Sequence, residues 1–130
     1  MTVLIDTSAW VEFLRATGSP ADTLVTDIVG GDPYAVTDVV MAELLIGARS
    51  ESAARRVRGI VDSGRFFPVR PLFDFETASD IGLACRSAGL SVGLPDCLIA
   101  AIAINNDLEL LAADRDFEAI AELTSLRLAS

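Results

Sequence analysis

A chain of 130 residues fits one domain, taken here as residues 1–130, and is long enough to bury a core without disulfides or structural zinc. Hydrophobic residues make up 52% of it, which excludes intrinsic disorder; the absence of His and Lys excludes His-based triads, His-ligated zinc and a P-loop lysine. A net charge of −9 is awkward for a nucleic-acid binder, yet residues 49–70 hold six arginines against Glu51 and Asp62, a local +4 that leaves −13 elsewhere.

Short apolar runs alternate with helical periodicity, which predicts an α/β fold on a mostly parallel sheet of four or five strands. Val3-Leu4-Ile5 reads as the first strand, stopping at Asp6. Thr7 or Ser8 can cap a helix carrying Trp10, Val11, Phe13 and Leu14. Ser19-Pro20 reads as cap and first residue of a second helix, closed by Gly30-Gly31. Tyr34 to Thr37 is a second strand, with Asp38 as cap of a helix over Val39 to Ala48. Residues 51–63 form an amphipathic helix with Glu51/Arg55 and Arg58/Asp62 pairs outside. Phe66 to Val69 suggests a short edge strand, Pro68 marking the edge. Asp74 starts a helix with Ala78, Ile81, Cys85 and Ala88 on one stripe, ended by Gly89. Pro95 to Ile104 is apolar on almost every face and predicts a central buried helix. Glu109 to Ala113 is a strand ending at Asp114, followed by a helix over Phe117 to Leu123 and an edge strand at Leu126 to Leu128.

The start of the chain meets Asp6 too early for a signal peptide, and the longest apolar run, Cys97 to Ile104, would span only ~12 Å as a helix. A soluble, cytoplasmic protein that makes no membrane contact is expected. Cys85 and Cys97 have no metal-ligand spacing and read as buried thiols in a reducing compartment.

Four acids stand where a structural acid has little reason to be. Asp6 and Asp114 each follow a buried strand, at the strand ends where open α/β sheets bind ligands. Glu43 has Val39, Val40, Ile46 and Gly47 as helical neighbours, and Asp96 opens the most hydrophobic helix. Each has a plainer reading: a cap for Asp6, a turn for Asp114, a helix-dipole partner for Asp96, an arginine pair for Glu43. Four carboxylates gathered at one sheet edge, however, repel unless a divalent cation lies between them. With no His and no metal-binding Cys pattern, the donor set selects a hard ion, Mg²⁺ or Mn²⁺, and that chemistry suits metal-dependent hydrolysis at phosphorus.

Leu4-Ile-Asp6-Thr-Ser-Ala-Trp10, Ala42-Glu43-Leu44 with Gly47-Ala48, Leu94-Pro-Asp96-Cys-Leu-Ile-Ala-Ala101 and Leu111-Ala-Ala-Asp114-Arg-Asp116-Phe117 resemble the signatures of PIN domains, most of all VapC-type toxins. The resemblance runs end to end, with the motifs in order. It implies an α/β/α sandwich and a Mg²⁺-dependent endoribonuclease, the toxin of a toxin–antitoxin pair, that forms a homodimer and is inhibited by a cognate antitoxin. It carries over Asp6 and Asp96 as principal metal ligands, with Glu43 and Asp114 completing the shell directly or through water. Ser8 matches a hydroxyl near the metal, with an N-cap as the simpler reading, and Ser8 and Arg115 stand as candidate contacts to an RNA substrate. Asp116 competes with Asp114; Asp114 is preferred because it follows its strand at once, while Asp116 is well placed to cap the last helix. Ala113 departs from the hydroxyl residue often found there, which puts one supporting contact in doubt. The Arg-rich segment reads either as a phosphate contact or as a solvated, salt-bridged helix face.

Three other readings compete. A phosphoaspartate-type phosphatase lacks its Lys and its second acid two residues after Asp6. A catalytically idle PIN-like binding module would be expected to have lost an acid. A DNA nuclease of the same mechanism is a lesser alternative, because nothing in the sequence reads a 2′-OH.

Overall fold

The computed structural model describes residues 2–130. Five strands, β1 (Val3–Ile5), β2 (Tyr34–Val36), β3 (Arg65–Phe66), β4 (Glu109–Leu111) and β5 (Arg127–Leu128), form one sheet in the order β3-β2-β1-β4-β5. Every pairing is parallel: Leu4 lies opposite Ala35 on one side and Leu110 on the other. The connections run from β1 outward to β3, then cross back to β4 and run outward to β5. The reversal falls between β1 and β4, and a crevice at the carboxyl ends of such a strand pair is where α/β sheets hold ligands.

Seven helices complete the layers: α1 (Thr7–Leu14), α2 (Pro20–Gly31), α3 (Asp38–Gly47), α4 (Glu51–Ser63), α5 (Phe73–Ser87), α6 (Leu94–Asn105) and α7 (Asp116–Leu123). Helices α1 and α2 pack together, as do α1 with α3 and α3 with α4. Helices α5, α6 and α7 make a second group, which meets the first where α3 touches α6. The all-apolar reading of α6 holds, since Cys97 to Ala103 are all buried. Trp10, Phe117, Leu4, Ile5, Ile99, Ile102 and Leu110 supply the largest fully buried side chains of the core, so Trp10 packs internally, edge-on to Tyr34. None of the described helices is long and apolar enough to cross a membrane.

Several local expectations need correction. Asp6, not Thr7 or Ser8, caps α1, because its extended backbone lets the carboxylate accept the Ser8 N–H. Asp38 lies inside the first turn of α3; its carboxylate instead accepts the Val69 N–H at 2.7 Å, tying down the chain beyond β3. That edge strand sits earlier than expected, at Arg65–Phe66. Helix α5 begins at Phe73, and Asp74 is fully buried. The Arg55–Glu51 pair forms at 3.9 Å, but Arg58 and Asp62 make no ion pair, and Ala88 is exposed. Gly64, which ends α4, is packed so closely that a Cβ would lie 2.6 Å from Val36 and 2.7 Å from Tyr34.

Candidate metal centre

Asp6 leaves the end of β1 and caps α1, so its carboxylate is fixed from both sides of the turn. One oxygen, Oδ2, accepts the Ser8 N–H at 2.9 Å and the Ser8 hydroxyl at 2.5 Å. The other, Oδ1, is buried and has no hydrogen-bond partner among the described residues. The backbone N–H of Asp6 donates to Leu111 O at 2.8 Å, which locks the end of β1 to the end of β4. The Ser8 hydroxyl also accepts the Ala113 N–H at 2.9 Å, so one serine joins Asp6 to the segment that carries Asp114. Ser8 is therefore tied up inside the site.

Glu43 projects from the middle of α3 and is half-buried. Its apolar neighbourhood is less complete than the sequence suggests, because Ile46 is 85% exposed and Gly47 is exposed too. The Thr7 hydroxyl donates to Glu43 Oε1 at 2.7 Å, and no arginine pairs with Glu43. Thr7 is the residue that sequence reasoning missed. Its one sequence signal is its place beside Asp6, where a threonine hydroxyl ordinarily reads as a helix cap.

Asp96 stands in the first turn of α6 after Pro95, where the helix dipole favours a carboxylate. Burial nevertheless pushes its carboxyl up to about 6, and the nearby charges of Asp6, Asp114, Glu43 and Asp116 push the same way. All four acids expected from the sequence, with Asp116, thus lie close enough to act on one group. Burial also raises Asp6, with Glu43 adding to the effect while the Ser8 hydrogen bonds oppose it. Carboxylate oxygens of Asp96, Asp114 and Asp116 lie within 4.8 Å of one another. Asp116 does not cap α7 with its side chain; its N–H donates to Asp114 Oδ1 at 2.9 Å, and Arg115 takes the cap position, exposed to solvent.

The donor chemistry fits a hard divalent cation. It is all carboxylate oxygen, and neighbouring acids add to burial in raising the proton affinity of Asp96 and Asp6. The unpartnered Oδ1 of Asp6 is the most telling atom. A buried carboxylate oxygen without a hydrogen bond costs several kcal/mol, on the order of its desolvation penalty, unless a cation or a proton meets it.

A sheet with its switch point under an acidic cluster defines a class, and the comparisons agree: the PIN domain model matches residues 3–123, and the chain belongs to that family. Within it, the chain is 37% identical over 131 residues to a VapC ribonuclease of Mycobacterium bovis and to ribonuclease VapC11 of Mycobacterium tuberculosis, covering 98% of each chain. Among solved structures, VapBC2 of Rickettsia felis, crystallised on a DNA fragment of its promoter, superposes with a TM-score of 0.80 at 17% identity, over 99% of this chain and 98% of that one. VapC20 of Mycobacterium tuberculosis, a toxin that cleaves the sarcin–ricin loop, gives 0.69 at 21% identity, over 97% and 99%. At those identities the structures speak for the fold.

Proposed function

We propose that this chain is a Mg²⁺-dependent endoribonuclease and the toxin of a toxin–antitoxin pair. The observation that carries the reading is the orphaned Oδ1 of Asp6, buried near Asp96, whose carboxyl is pushed up to about 6 by burial first and by the surrounding acids second. The kinship with VapC ribonucleases over nearly the whole chain supports the choice of RNA. Asp6 and Asp96 are the principal ligands of the ion, and Glu43 and Asp114 complete the shell directly or through water. When bound, Mg²⁺ (or Mn²⁺) supplies a more acidic water and neutralises charge gathering on the phosphate. Ser8 keeps Oδ2 of Asp6 occupied, which would leave Oδ1 as the oxygen available to the ion. Thr7 holds one oxygen of Glu43 and leaves the other to orient the attacking water and take its proton. Water adds to phosphorus, the P–O bond to the leaving nucleotide breaks, and the leaving oxygen takes a proton from solvent.

A cognate antitoxin as partner is supported by fold neighbours solved as VapBC complexes. An acidic cleft suits a basic side chain from that partner. A homodimer and a cytoplasmic setting complete the proposal, the latter favoured by two free buried cysteines.

The test is to incubate antitoxin-free protein with total RNA and with single-stranded DNA, in Mg²⁺ or EDTA, beside Asp6→Asn and Asp96→Asn. Discrete RNA cleavage that needs Mg²⁺ and vanishes in both variants is expected. Cleavage of DNA alone reassigns the substrate. Cleavage of neither polymer, with no Mg²⁺ binding by calorimetry, leaves an idle binding module.

A further inference from the structure

Beside the metal centre lies a pocket of about 260 Å³, walled by α1, α3 and α4. Its floor is apolar, made by Val11, Leu14, Leu44 and Val57, and Glu43 lines the end nearest the acids. Two arginines stand on its rim, Arg15 just beyond α1 and Arg56 on α4. Both are exposed, and neither makes an ion pair or side-chain hydrogen bond among the described residues. Even Glu43, in the same pocket, is not paired with either. Within the basic segment Arg55 pairs with Glu51, Arg65 lies over the Phe67 ring, and Arg70 meets Asp74 and the Phe73 ring, while Arg49 and Arg58 are also unpaired among the described residues but do not line the pocket.

What sets Arg15 and Arg56 apart is their place: they are the two cations lining this hollow, in a chain of net charge −9. Held over an apolar hollow at the edge of a phosphodiester-cleaving centre, they match the two halves of a nucleotide. We infer that this pocket seats one unstacked nucleotide of a single-stranded RNA, next to the scissile phosphate: the base on the apolar floor, its phosphate on Arg15 and Arg56. Guanidinium forks bind phosphate bidentately, and single-stranded RNA is read by splaying bases onto apolar or guanidinium surfaces. The inference rests on the nuclease reading above for the identity of the polymer.

Binding is therefore measured apart from cleavage, by fluorescence anisotropy of a labelled single-stranded oligoribonucleotide in EDTA, in an Asp96→Asn background. Arg15→Ala and Arg56→Ala should each raise Kd by about tenfold, the size of loss that removing one good arginine contact produces. The double variant should flatten the slope of log Kd against log salt by about 1.4, near 0.7 for each lost phosphate contact. Arg58→Ala, on α4 but outside the pocket lining, should match its parent, and thermal melts should show all variants folded. Unchanged Kd and salt slope in the double variant overturn the inference and leave the hollow to an apolar protein segment. Absence of RNA binding by the parent overturns it as well. Cleavage by the wild-type protein is scored separately, so a failed pocket and a failed nuclease reading give different results.

Discussion

Thr7 and Glu43 stand 36 residues apart in the chain, and the hydroxyl of the first donates to the carboxylate of the second at 2.7 Å. The bond ties the first turn of α1 to the middle of α3, so the acid from the second crossover is aimed by the residue next to Asp6. Removing it should cost positioning more than stability. Thr7→Val should lower kcat about tenfold with KM within twofold, and destabilise the fold by roughly 1 kcal/mol, the usual net worth of one hydrogen bond. Thr7→Ser should restore most of kcat. Equal rates for the valine and threonine forms would show that Glu43 needs no such support.

Ser8 offers a second test. Its hydroxyl donates to Asp6 and accepts from the Ala113 N–H, so Ser8→Ala removes two bonds, one of them the tie to the segment carrying Asp114. Mg²⁺ affinity by calorimetry should fall about 10- to 100-fold, the range seen when groups that orient metal ligands are lost. An affinity within a factor of two of wild type would reduce Ser8 to a local structural contact.

The metal-free protein should also become less stable as pH rises. Burial and neighbouring acids lift Asp96 from the ordinary carboxyl value of 3.8 to about 6, and burial lifts Asp6 in the same direction. Between those values the folded chain holds protons that the unfolded chain has released. The contribution is thus fully present below pH 3.8 and lost as pH climbs through about 6. Melting curves in EDTA should show these groups favouring the fold at pH 5 relative to pH 7.5. Added Mg²⁺ should raise Tm more at pH 7.5 than at pH 5, because it competes with the proton on Asp96. A Mg²⁺ effect independent of pH would mean that the ion binds elsewhere.

Asp74 carries the fold prediction. It is fully buried, accepts the Arg70 N–H at 2.7 Å and the Asn105 side-chain amide at 2.8 Å, and so pins the start of α5 to the end of α6. Asp74→Ala leaves the Arg70 N–H unmatched and the Asn105 amide with only its Thr77 bond, beside the Arg70 guanidinium, and should cost about 3 kcal/mol in urea unfolding. A loss under 1 kcal/mol, roughly that of an exposed pair, would mean water takes over its role.

Layered α/β architecture was legible because strand and helix periods differ: β1, β4 and the buried α6 announce themselves as apolar runs of different length. The edge was harder to read. Phe66 to Val69 looked like the strand, but Asp38 takes the Val69 N–H and bends the chain away, leaving Arg65–Phe66 to pair with β2. No local pattern reports a carboxylate 31 residues away. The acids of the site were legible for a related reason, since Asp6, Asp96 and Asp114 interrupt apolar sequence and strand ends converge. What could not be read was how oxygen atoms are shared. Thr7, Ser8 and Asp116 all looked like caps, and only the folded chain shows Thr7 on Glu43, Ser8 on Asp6 and the Asp116 backbone on Asp114.

The parallel pairing of β1 with both β2 and β4 has a consequence for the order of events at the ribosome. Residues 1–108 already contain Asp6, Glu43 and Asp96, yet β1 still has one open edge and Asp114 has not been synthesised. Ala113 has not yet reached Ser8 either, a closure across 105 residues. A nascent chain of that length therefore holds three of the acids but not the strand that closes the cluster. The acid cluster closes only when β4 pairs with β1 and Ala113 reaches Ser8.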